Sequence, residues 1–297
     1  MCRFITYNGG PLALVDVLYR PSNSLIMQSH HARERPEPLN GDGFGVGWYV
    51  PEVDDDPCIQ RYVSPAWSNR NLHSLAPKVS TKCLFAHVRA ASPGMAVSEL
   101  NVHPFSHHNL MWMHNGMVAG FQDIKRKLRA GLNDDSYQLI QGTTDSEHAF
   151  AMFCHNLREP FERVQAAEMR RALVETIAQL NALTHSAGVV DPSYYNFAVT
   201  NGRDTVVSRY CSRPELPAAS LHYSRGTRFE CLPDGVCDMV GDTSDPDAQA
   251  VIVSSERLTE DHADWPDVPD NHTITVFVDH SVKLERIESE TTSSYYS

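Results

Sequence analysis

The sequence predicts an α+β fold in which antiparallel sheets stack on one another and helices cover the outside. Two observations support this prediction. Short apolar runs separated by turn residues fill the N-terminal half and return toward the C-terminus, while the stretch between them has apolar residues at helical spacing. A doubly wound parallel sheet would instead alternate strands with helices along the whole chain.

The first strands are predicted from short runs of β-branched, aromatic and aliphatic residues. Each run is bounded by residues that favour turns, as expected of strands in an antiparallel sheet. These runs are residues 4–7, 44–50, 84–88 and 110–113.

Three helices are predicted in the middle of the chain. Residues 123–132 have apolar side chains at helical spacing and end near a glycine. Thr144 or Asp145 can cap a second helix, with Glu147 in its first turn. Residues 160–183 are rich in Ala, Glu, Arg and Leu and predict a longer third helix.

Strands return after the third helix. Residues 195–200 and 205–210 flank Asn201-Gly202, which is the strongest short-range hairpin signal in the chain. Further strands are predicted at residues 250–254, 273–278 and 282–287, the last pairing back on its predecessor. Loops are expected at residues 32–40, 51–57 and 232–247, with a frayed tail at 288–297. Because no composition break divides the chain, we expect one domain over residues 1–297.

The composition disfavours nucleic-acid-binding, membrane-spanning and secreted proteins. There are 25 Lys and Arg against 37 Asp and Glu, so the formal net charge is −12, which disfavours nucleic acid and anionic membranes as partners. We find no apolar run long enough to cross a bilayer and no secretory signal. The seven cysteines are scattered and odd in number, which is typical of reduced thiols in a cytosol. The spacing of Cys231 and Cys237 does not match a zinc knuckle.

The N-terminus carries the first chemical signal. If Met1 is removed, Cys2 becomes the first residue and holds a thiol nucleophile and an α-amine on one carbon. An α-amine titrates near ~7.7–8.0, so it can accept the thiol proton at cellular pH. The alternative is that a cysteine stands at position 2 by chance.

The glycine-rich segment at residues 41–47 is not a nucleotide loop. Neither register places a third glycine where the dinucleotide fingerprint needs it, and no Gly-Lys-Ser/Thr follows. Glycines at every second position instead share one strand face, where a second backbone or a substrate can approach closely.

Three further motifs place polar residues at the ends of predicted elements. Arg89 ends an apolar strand and could bind a carboxylate with two parallel hydrogen bonds, although an arginine directed to solvent is a common alternative. Asn115 and the Gly116 N–H could together stabilise an oxyanion, whereas Asn-Gly is also a frequent tight turn. Asp145 could receive an ammonium group or act only as a helix cap.

Histidines crowd one region without a metal-binding pattern. His87, His103, His107, His108 and His114 lie close in sequence, but their spacing does not match a helical His-Glu-x-x-His motif. We expect most of them to make hydrogen bonds within strands and turns, and we expect neither a metal nor a cofactor.

Taken in order, these motifs resemble the class II, N-terminal nucleophile, glutamine amidotransferases. The matching features are Cys2, Arg89 in His-Val-Arg-Ala, Asn115-Gly116 and Asp145 in Thr-Asp-Ser-Glu. The runs at residues 21–29, 39–49, 101–105, 140–142, 195–202, 220–226 and 251–259 are similar to one branch of that family. This branch contains the amidotransferase-like subunit of the yeast DUG glutathione-degrading complex and the ergothioneine-pathway γ-glutamyl hydrolases.

The resemblance implies a four-layer αββα sandwich and a role for each motif. Cys2 would be the nucleophile, with Asn115 and the Gly116 N–H as the oxyanion hole. Arg89 would bind the substrate α-carboxylate and Asp145 its α-ammonium group. The implied reaction passes through a γ-glutamyl thioester that water hydrolyses.

Three functions follow from this resemblance. Since it covers nearly the whole chain and leaves little for a synthase, we expect a cytoplasmic γ-glutamyl hydrolase that acts on glutathione or a related compound. A metallopeptidase-like subunit is the implied partner. One alternative is a glutaminase that supplies ammonia to a partner synthase. A second alternative is an inactive scaffold subunit that retains Met1.

Overall fold

The computed structural model of the chain describes residues 2–34, 39–90, 97–232, 236–241 and 249–288. Two antiparallel sheets form its centre, and the strands and helices below are numbered in chain order. Among the described residues the first sheet has six strands in the order β3-β2-β4-β1-β12-β9. Their bounds are β1 Arg3–Ala13, β2 Phe44–Trp48, β3 Cys58–Tyr62, β4 Ser80–Val88, β9 His222–Gly226 and β12 Ala250–Ser254.

The second sheet also has six strands within the described ranges, in the order β14-β13-β8-β7-β6-β5. Their bounds are β5 Phe105–His107, β6 Leu110–Met117, β7 Tyr194–Thr200, β8 Thr205–Arg209, β13 His272–Val276 and β14 Val282–Arg286. Strands β10 Arg228–Cys231 and β11 Cys237–Val240 form a separate hairpin.

Helices lie on both outer faces. Helices α1 Leu14–Leu18, α2 Leu25–His31 and α3 Arg70–Leu75 accompany the first sheet, and α4 Phe121–Ala130, α5 Asp134–Gln138, α6 Asp145–Asn156 and α7 Ala166–Ser186 accompany the second. None of the helices in the described ranges has the length and apolar content that crossing a bilayer requires. The αββα arrangement that the resemblance implies is confirmed.

Alternation along each strand produces three apolar layers. In β1, Ile5 packs in the cluster beneath the first helical layer, while its neighbour Phe4 packs between the two sheets. In β6, Met111 and Met113 face the layer between the sheets, whereas Trp112 packs against Phe153 of α6 with ring centroids 5.2 Å apart. Both sheets are therefore buried on two faces, and the functional side chains must lie at strand ends.

Most of the predicted elements are confirmed. Asn201-Gly202 turns the chain between β7 and β8, and Gly202 has the positive φ of 84° that such a turn requires. Thr144 is the cap of α6, since its side chain accepts from the Glu147 N–H at 3.2 Å. The glycine-rich segment continues into β2, where a Cβ at Gly45 would lie 2.0 Å from the His103 carbonyl oxygen. Gly45 therefore lets the backbone at His103 approach β2 closely.

The sequence predictions failed in several places. Strands β3, β5, β9 and β10 and the short helices α1, α2, α3 and α5 were not expected, because short polar segments carry little periodicity. Residues 237–240 form β11 where a loop was expected. Residues 35–38, 233–235, 242–248 and 289–297, which belong to the other expected loops and the tail, lie outside the described residues.

The prediction that the cysteines are all reduced thiols is also wrong. The β10–β11 hairpin aligns Cys231 with Cys237, and their sulfur atoms form a disulfide. The register of a hairpin cannot be predicted from cysteine spacing alone, since it depends on the turn that closes it. The other five cysteines are free thiols in the structure.

Candidate active site

Cys2 lies immediately before β1, at the end of a strand in the middle of the first sheet. Its side chain is half-buried, and its thiol lies 3.7 Å from the carbonyl oxygen of Ala90, the residue after Arg89. The Arg3 guanidinium donates to the Cys2 carbonyl at 2.9 Å. The backbone of the predicted nucleophile is therefore held, while the residue as a whole is only half-buried.

Arg3 is itself fixed by a buried carboxylate. Its Nε lies 2.6 Å from Glu256 Oε1, and the two side chains are 2% and 0% exposed. Glu256 also accepts from the backbone N–H groups of Arg33 at 2.9 Å and Glu34 at 3.1 Å. Removing one partner of a buried ion pair strongly destabilises the fold, because the remaining charge is left buried without compensation. Glu256 thus anchors the start of β1 and the segment before residue 35.

Asn115 lies near the end of β6, opposite Asn196 of β7. It is fully buried, and its side-chain N–H donates to the Ser255 hydroxyl at 3.1 Å. The same hydroxyl accepts from the Phe4 N–H at 3.1 Å. The side chain of Asn115 therefore lies beside the first residues of β1, two positions from Cys2.

Gly116 continues the same strand and pairs with Tyr195. A Cβ at this position would lie 1.9 Å from the Tyr194 carbonyl oxygen and 2.6 Å from His114 Nε2. Only glycine fits without moving the backbone. The alternative that Asn115-Gly116 forms a tight turn is wrong, because both residues belong to a paired strand.

Arg89 follows β4 and is 3% exposed, so the alternative of an arginine directed to solvent is wrong. Its backbone pairs with the glycine-rich segment, through Arg89 N–H to the Gly43 carbonyl at 2.8 Å and Asp42 N–H to the Arg89 carbonyl at 3.0 Å. Its guanidinium lies 3.4 Å from the Asp42 carbonyl oxygen. A buried guanidinium at a strand end beside Cys2 is suited to bind a carboxylate in two-pronged geometry.

Asp145 is the first residue of α6 and is half-buried. One carboxylate oxygen accepts from the Val118 N–H at 2.8 Å, and the other accepts from the Ser146 N–H at 2.9 Å. Since the cap of the helix is Thr144, Asp145 is not needed for capping. A carboxylate has about four lone-pair sites, so acceptor capacity remains for an ammonium group.

His114 supports this arrangement in the neutral form. Its Nε2 lies 3.0 Å from the Tyr194 carbonyl oxygen and therefore carries the hydrogen, which leaves Nδ1 to accept from the Ser146 hydroxyl at 2.9 Å. Burial lowers the pKa of His114, while the Asp145 carboxylate opposes that shift. His114 thus connects β6 and β7 to the start of α6.

Two other buried histidines, His87 and His103, pack against each other next to His114. Burial lowers the pKa of His87 to about 3, and its Nε2 donates to the His114 carbonyl at 3.2 Å. The rings of His87 and His103 lie 4.1 Å apart. Within the described ranges there is no group of three or more His, Cys, Asp or Glu side chains that could hold a metal.

All five predicted site residues thus lie at one edge of the two sheets. Cys2 approaches the residue after Arg89, Asn115 is joined through Ser255 to Phe4, and Asp145 binds the N–H two residues beyond Gly116. A separate cleft of about 550 Å³ lies where the β7–β8 hairpin meets the start of α7, and none of the five residues lines it.

Sequence reasoning missed Ser255 and Glu256. They follow β12 directly and make the contacts that hold Asn115, Phe4 and Arg3. Two polar residues after an apolar strand were the available signal, but no residue type or spacing indicates a partner more than one hundred positions away in sequence.

Comparison with known proteins gives three results. A family model described as glutamine amidotransferases class-II matches residues 20–296. The Saccharomyces cerevisiae protein named "Probable glutamine amidotransferase DUG3" is 40% identical, over 93% of this chain and 82% of its own length. A Mycobacterium tuberculosis protein named gamma-glutamyl-hercynylcysteine sulfoxide hydrolase is 26% identical, over 93% of both chains.

A solved structure agrees with the fold. The glutamine aminotransferase class-II domain protein from Silicibacter pomeroyi superimposes with a TM-score of 0.65 at 24% identity, covering 96% of this chain and 99% of that one.

Proposed function

This chain belongs to the class II glutamine amidotransferase family, and from that membership we propose that it hydrolyses γ-glutamyl amides with Cys2 as nucleophile. One observation supports the proposal most strongly: the Cys2 thiol, Asn115-Gly116, Arg89 and Asp145 lie at one edge of the two sheets. In this proposal the whole chain acts as one domain.

The proposed substrate head is a γ-glutamyl group bound by its charges. Arg89 binds the α-carboxylate, and Asp145 binds the α-ammonium group. With this end fixed, the amide carbonyl reaches the Cys2 thiol. Holding the reacting atoms in this geometry supplies part of the rate enhancement.

The proposed chemistry has two steps. Removal of Met1 frees the α-amine of Cys2, which takes the thiol proton as sulfur attacks the amide carbon. The carbonyl oxygen becomes an oxyanion that receives hydrogen bonds from Asn115 and the Gly116 N–H. The carbon–nitrogen bond then breaks, the amine leaves with the proton, and water hydrolyses the γ-glutamyl thioester to glutamate and free thiol.

The proposed leaving group is a peptide or amine, with glutathione as the first compound to test. The name of the mycobacterial relative describes a γ-glutamyl hydrolase whose substrate is a cysteine derivative, which favours a leaving group larger than ammonia. The name of the yeast relative, glutamine amidotransferase, favours the second candidate, a glutaminase that supplies ammonia to a synthase.

We further propose that the protein works in the cytoplasm and inside a complex with a metallopeptidase-like subunit. The resemblance to the yeast DUG complex motivates this partner. The exposed acidic segment at residues 51–56 offers one surface for docking.

The direct test measures glutamate release from glutamine, glutathione and other γ-glutamyl dipeptides, with the Cys2→Ala variant as control. Intact mass of the protein purified from its host shows whether Met1 has been removed. Glutamate released from γ-glutamyl peptides by the native protein alone is the expected result. Release from glutamine only would favour the glutaminase, and retained Met1 without turnover would favour the inactive scaffold.

The complex is tested by purification from the host. We expect a peptidase to co-purify. Peptide cleavage by the purified protein is then measured with and without that peptidase. Recovery of an amidating synthase instead, together with ammonia release from glutamine and no peptide cleavage, would contradict it.

A further inference from the structure

Ser255 occupies a junction between the two sheets. It follows β12 in the first sheet, is 0% exposed, and its hydroxyl accepts from both the Phe4 N–H and the Asn115 side-chain N–H at 3.1 Å. Its own backbone is held as well, since its N–H donates to the Phe4 carbonyl at 3.0 Å and its carbonyl accepts from the Ser220 hydroxyl at 2.8 Å. The position of the Ser255 hydroxyl is therefore fixed by the surrounding backbone.

We propose that Ser255 is a positioning residue that sets the orientation of the Asn115 amide, an inference that rests on the proposed function. The terminal torsion of an asparagine is broad and roughly two-fold, so its oxygen and nitrogen can exchange places at little cost. An acceptor that binds one N–H fixes the amide plane and leaves the second N–H for the substrate. In the exchanged orientation the amide oxygen would face the developing oxyanion and repel it.

The amide oxygen of Asn115 adds a second observation about how this side chain is held. Asn115 Oδ1 is buried and has no hydrogen-bond partner among the described residues. Because no donor holds the oxygen, the bond to the Ser255 hydroxyl is the contact that holds the amide in its plane, with the N–H end as the end that can serve the oxyanion. A buried amide held at one end depends strongly on that single bond.

Ser255 also sets the distance between the two halves of the proposed site. Phe4 belongs to β1, two residues from Cys2, and Asn115 belongs to β6 in the other sheet. Because both bind the same oxygen atom, the nucleophile strand and the oxyanion donor share one reference point.

The test compares Ser255→Ala and Ser255→Thr with a matched control, Ser254→Ala. Ser254 is equally buried and adjacent, but its hydroxyl donates to the Glu256 carbonyl at 2.6 Å. Loss of one hydrogen bond predicts that Ser255→Ala lowers kcat roughly tenfold with KM within about twofold. Ser255→Thr keeps the oxygen and should restore kcat, whereas Ser254→Ala should retain native kcat. Thermal unfolding of each variant verifies that it folds.

Coupling to Asn115 separates positioning from a general structural effect. In an Asn115→Ala background, Ser255→Ala should lower kcat by a smaller factor than in the native background, because the residue it orients is absent and only the contact to Phe4 is lost. Independent, multiplicative losses in the double variant would overturn the proposal. An unchanged kcat in folded Ser255→Ala would also overturn it.

Failure of the proposed function would appear differently. If the native protein and Ser254→Ala released no glutamate from any γ-glutamyl substrate, the reaction itself would be wrong. The crystal structure of Ser255→Ala would then decide the positional claim. A rotated or disordered Asn115 amide is expected, and an Asn115 amide in its native position would contradict the claim.

Discussion

The two halves of the candidate site are held in different ways. Cys2 and Asn115, where we propose that bonds are made and broken, are fixed through buried side chains of residues after β12: Glu256 through Arg3, and Ser255 directly. Arg89 and Asp145, where we propose that the substrate head binds, are held by backbone groups of neighbouring segments. One half is anchored by contacts between buried side chains, and the other by contacts to backbone groups.

The difference indicates what each half must do. An oxyanion donor has to be oriented before the reaction, so its own hydrogen-bond partner is part of the apparatus. A charged group that binds a ligand must instead keep part of its capacity for that ligand. We therefore expect substitutions in the first half to change kcat, and substitutions in the second half to change KM.

The largest effect is expected at Cys2. Cys2→Ala removes the proposed nucleophile and should abolish glutamate release from every γ-glutamyl substrate, while circular dichroism and thermal unfolding stay close to native. A matched control is Cys58→Ala, since Cys58 is an exposed free thiol on the edge strand β3. Near-native turnover by Cys2→Ala would show that Cys2 is not the nucleophile.

Asn115→Ala should lower kcat by about 10²–10³ with little change in KM, because an oxyanion donor acts mainly in the transition state. Steady-state kinetics with one γ-glutamyl peptide measures the split between the two constants. A change confined to KM would place Asn115 in the binding half and break the division.

Arg89→Lys and Asp145→Asn should raise KM by about tenfold or more for all γ-glutamyl substrates alike. Lysine keeps the charge but loses the two parallel hydrogen bonds of the guanidinium. Arg70→Lys serves as control, because Arg70 is exposed at the start of α3. The comparison would fail if either variant impaired one γ-glutamyl compound and spared another, since both residues would then contact the leaving group.

The smallest expected effect is on the free energy of unfolding and concerns Glu34, whose backbone N–H donates to Glu256. Burial raises the pKa of Glu34, but hydrogen bonding and attraction from His222, together with Arg257, outweigh it and hold the pKa below its ordinary value of 4.5. A lowered carboxyl pKa stabilises the fold above pH 4.5, and this stabilisation is lost as the pH falls through the folded value. Glu34→Gln should therefore lower the free energy of unfolding by up to about 1 kcal/mol at pH 7.

The pH dependence provides the check on Glu34. Denaturant unfolding of native protein and Glu34→Gln should show a difference that shrinks as the pH falls below 4.5. A difference that is constant with pH would show that the lost contact is not ionic.

Local signals predicted much of the molecule. The Asn201-Gly202 hairpin and the Thr144 cap followed from turn and capping chemistry, which act within a few residues. The order of the motifs predicted the candidate site residues Cys2, Arg89, Asn115-Gly116 and Asp145. The fold brings them to one edge of the two sheets. That Asn115-Gly116 is a strand and not a turn depends on its pairing with β7, which local sequence does not specify.

Contacts distant in sequence could not be predicted. The bond from Asn115 to Ser255 joins residues 140 positions apart, and that from Arg3 to Glu256 joins residues 253 apart. The first follows from the stacking of the two sheets and the second from the pairing of β1 with β12, and both are properties of the whole fold. The Cys231–Cys237 disulfide was missed for the same reason on a smaller scale, because it depends on hairpin register.

The central claim is that Cys2 carries the γ-glutamyl group during turnover. Its most direct test is an acid-quenched reaction of native protein with a γ-glutamyl peptide, followed by mass spectrometry of the N-terminal peptide. We expect a peptide that begins at Cys2 and carries one γ-glutamyl group, removable by hydroxylamine as a thioester. Turnover with the acyl group on another cysteine, or with Met1 still attached, would contradict it.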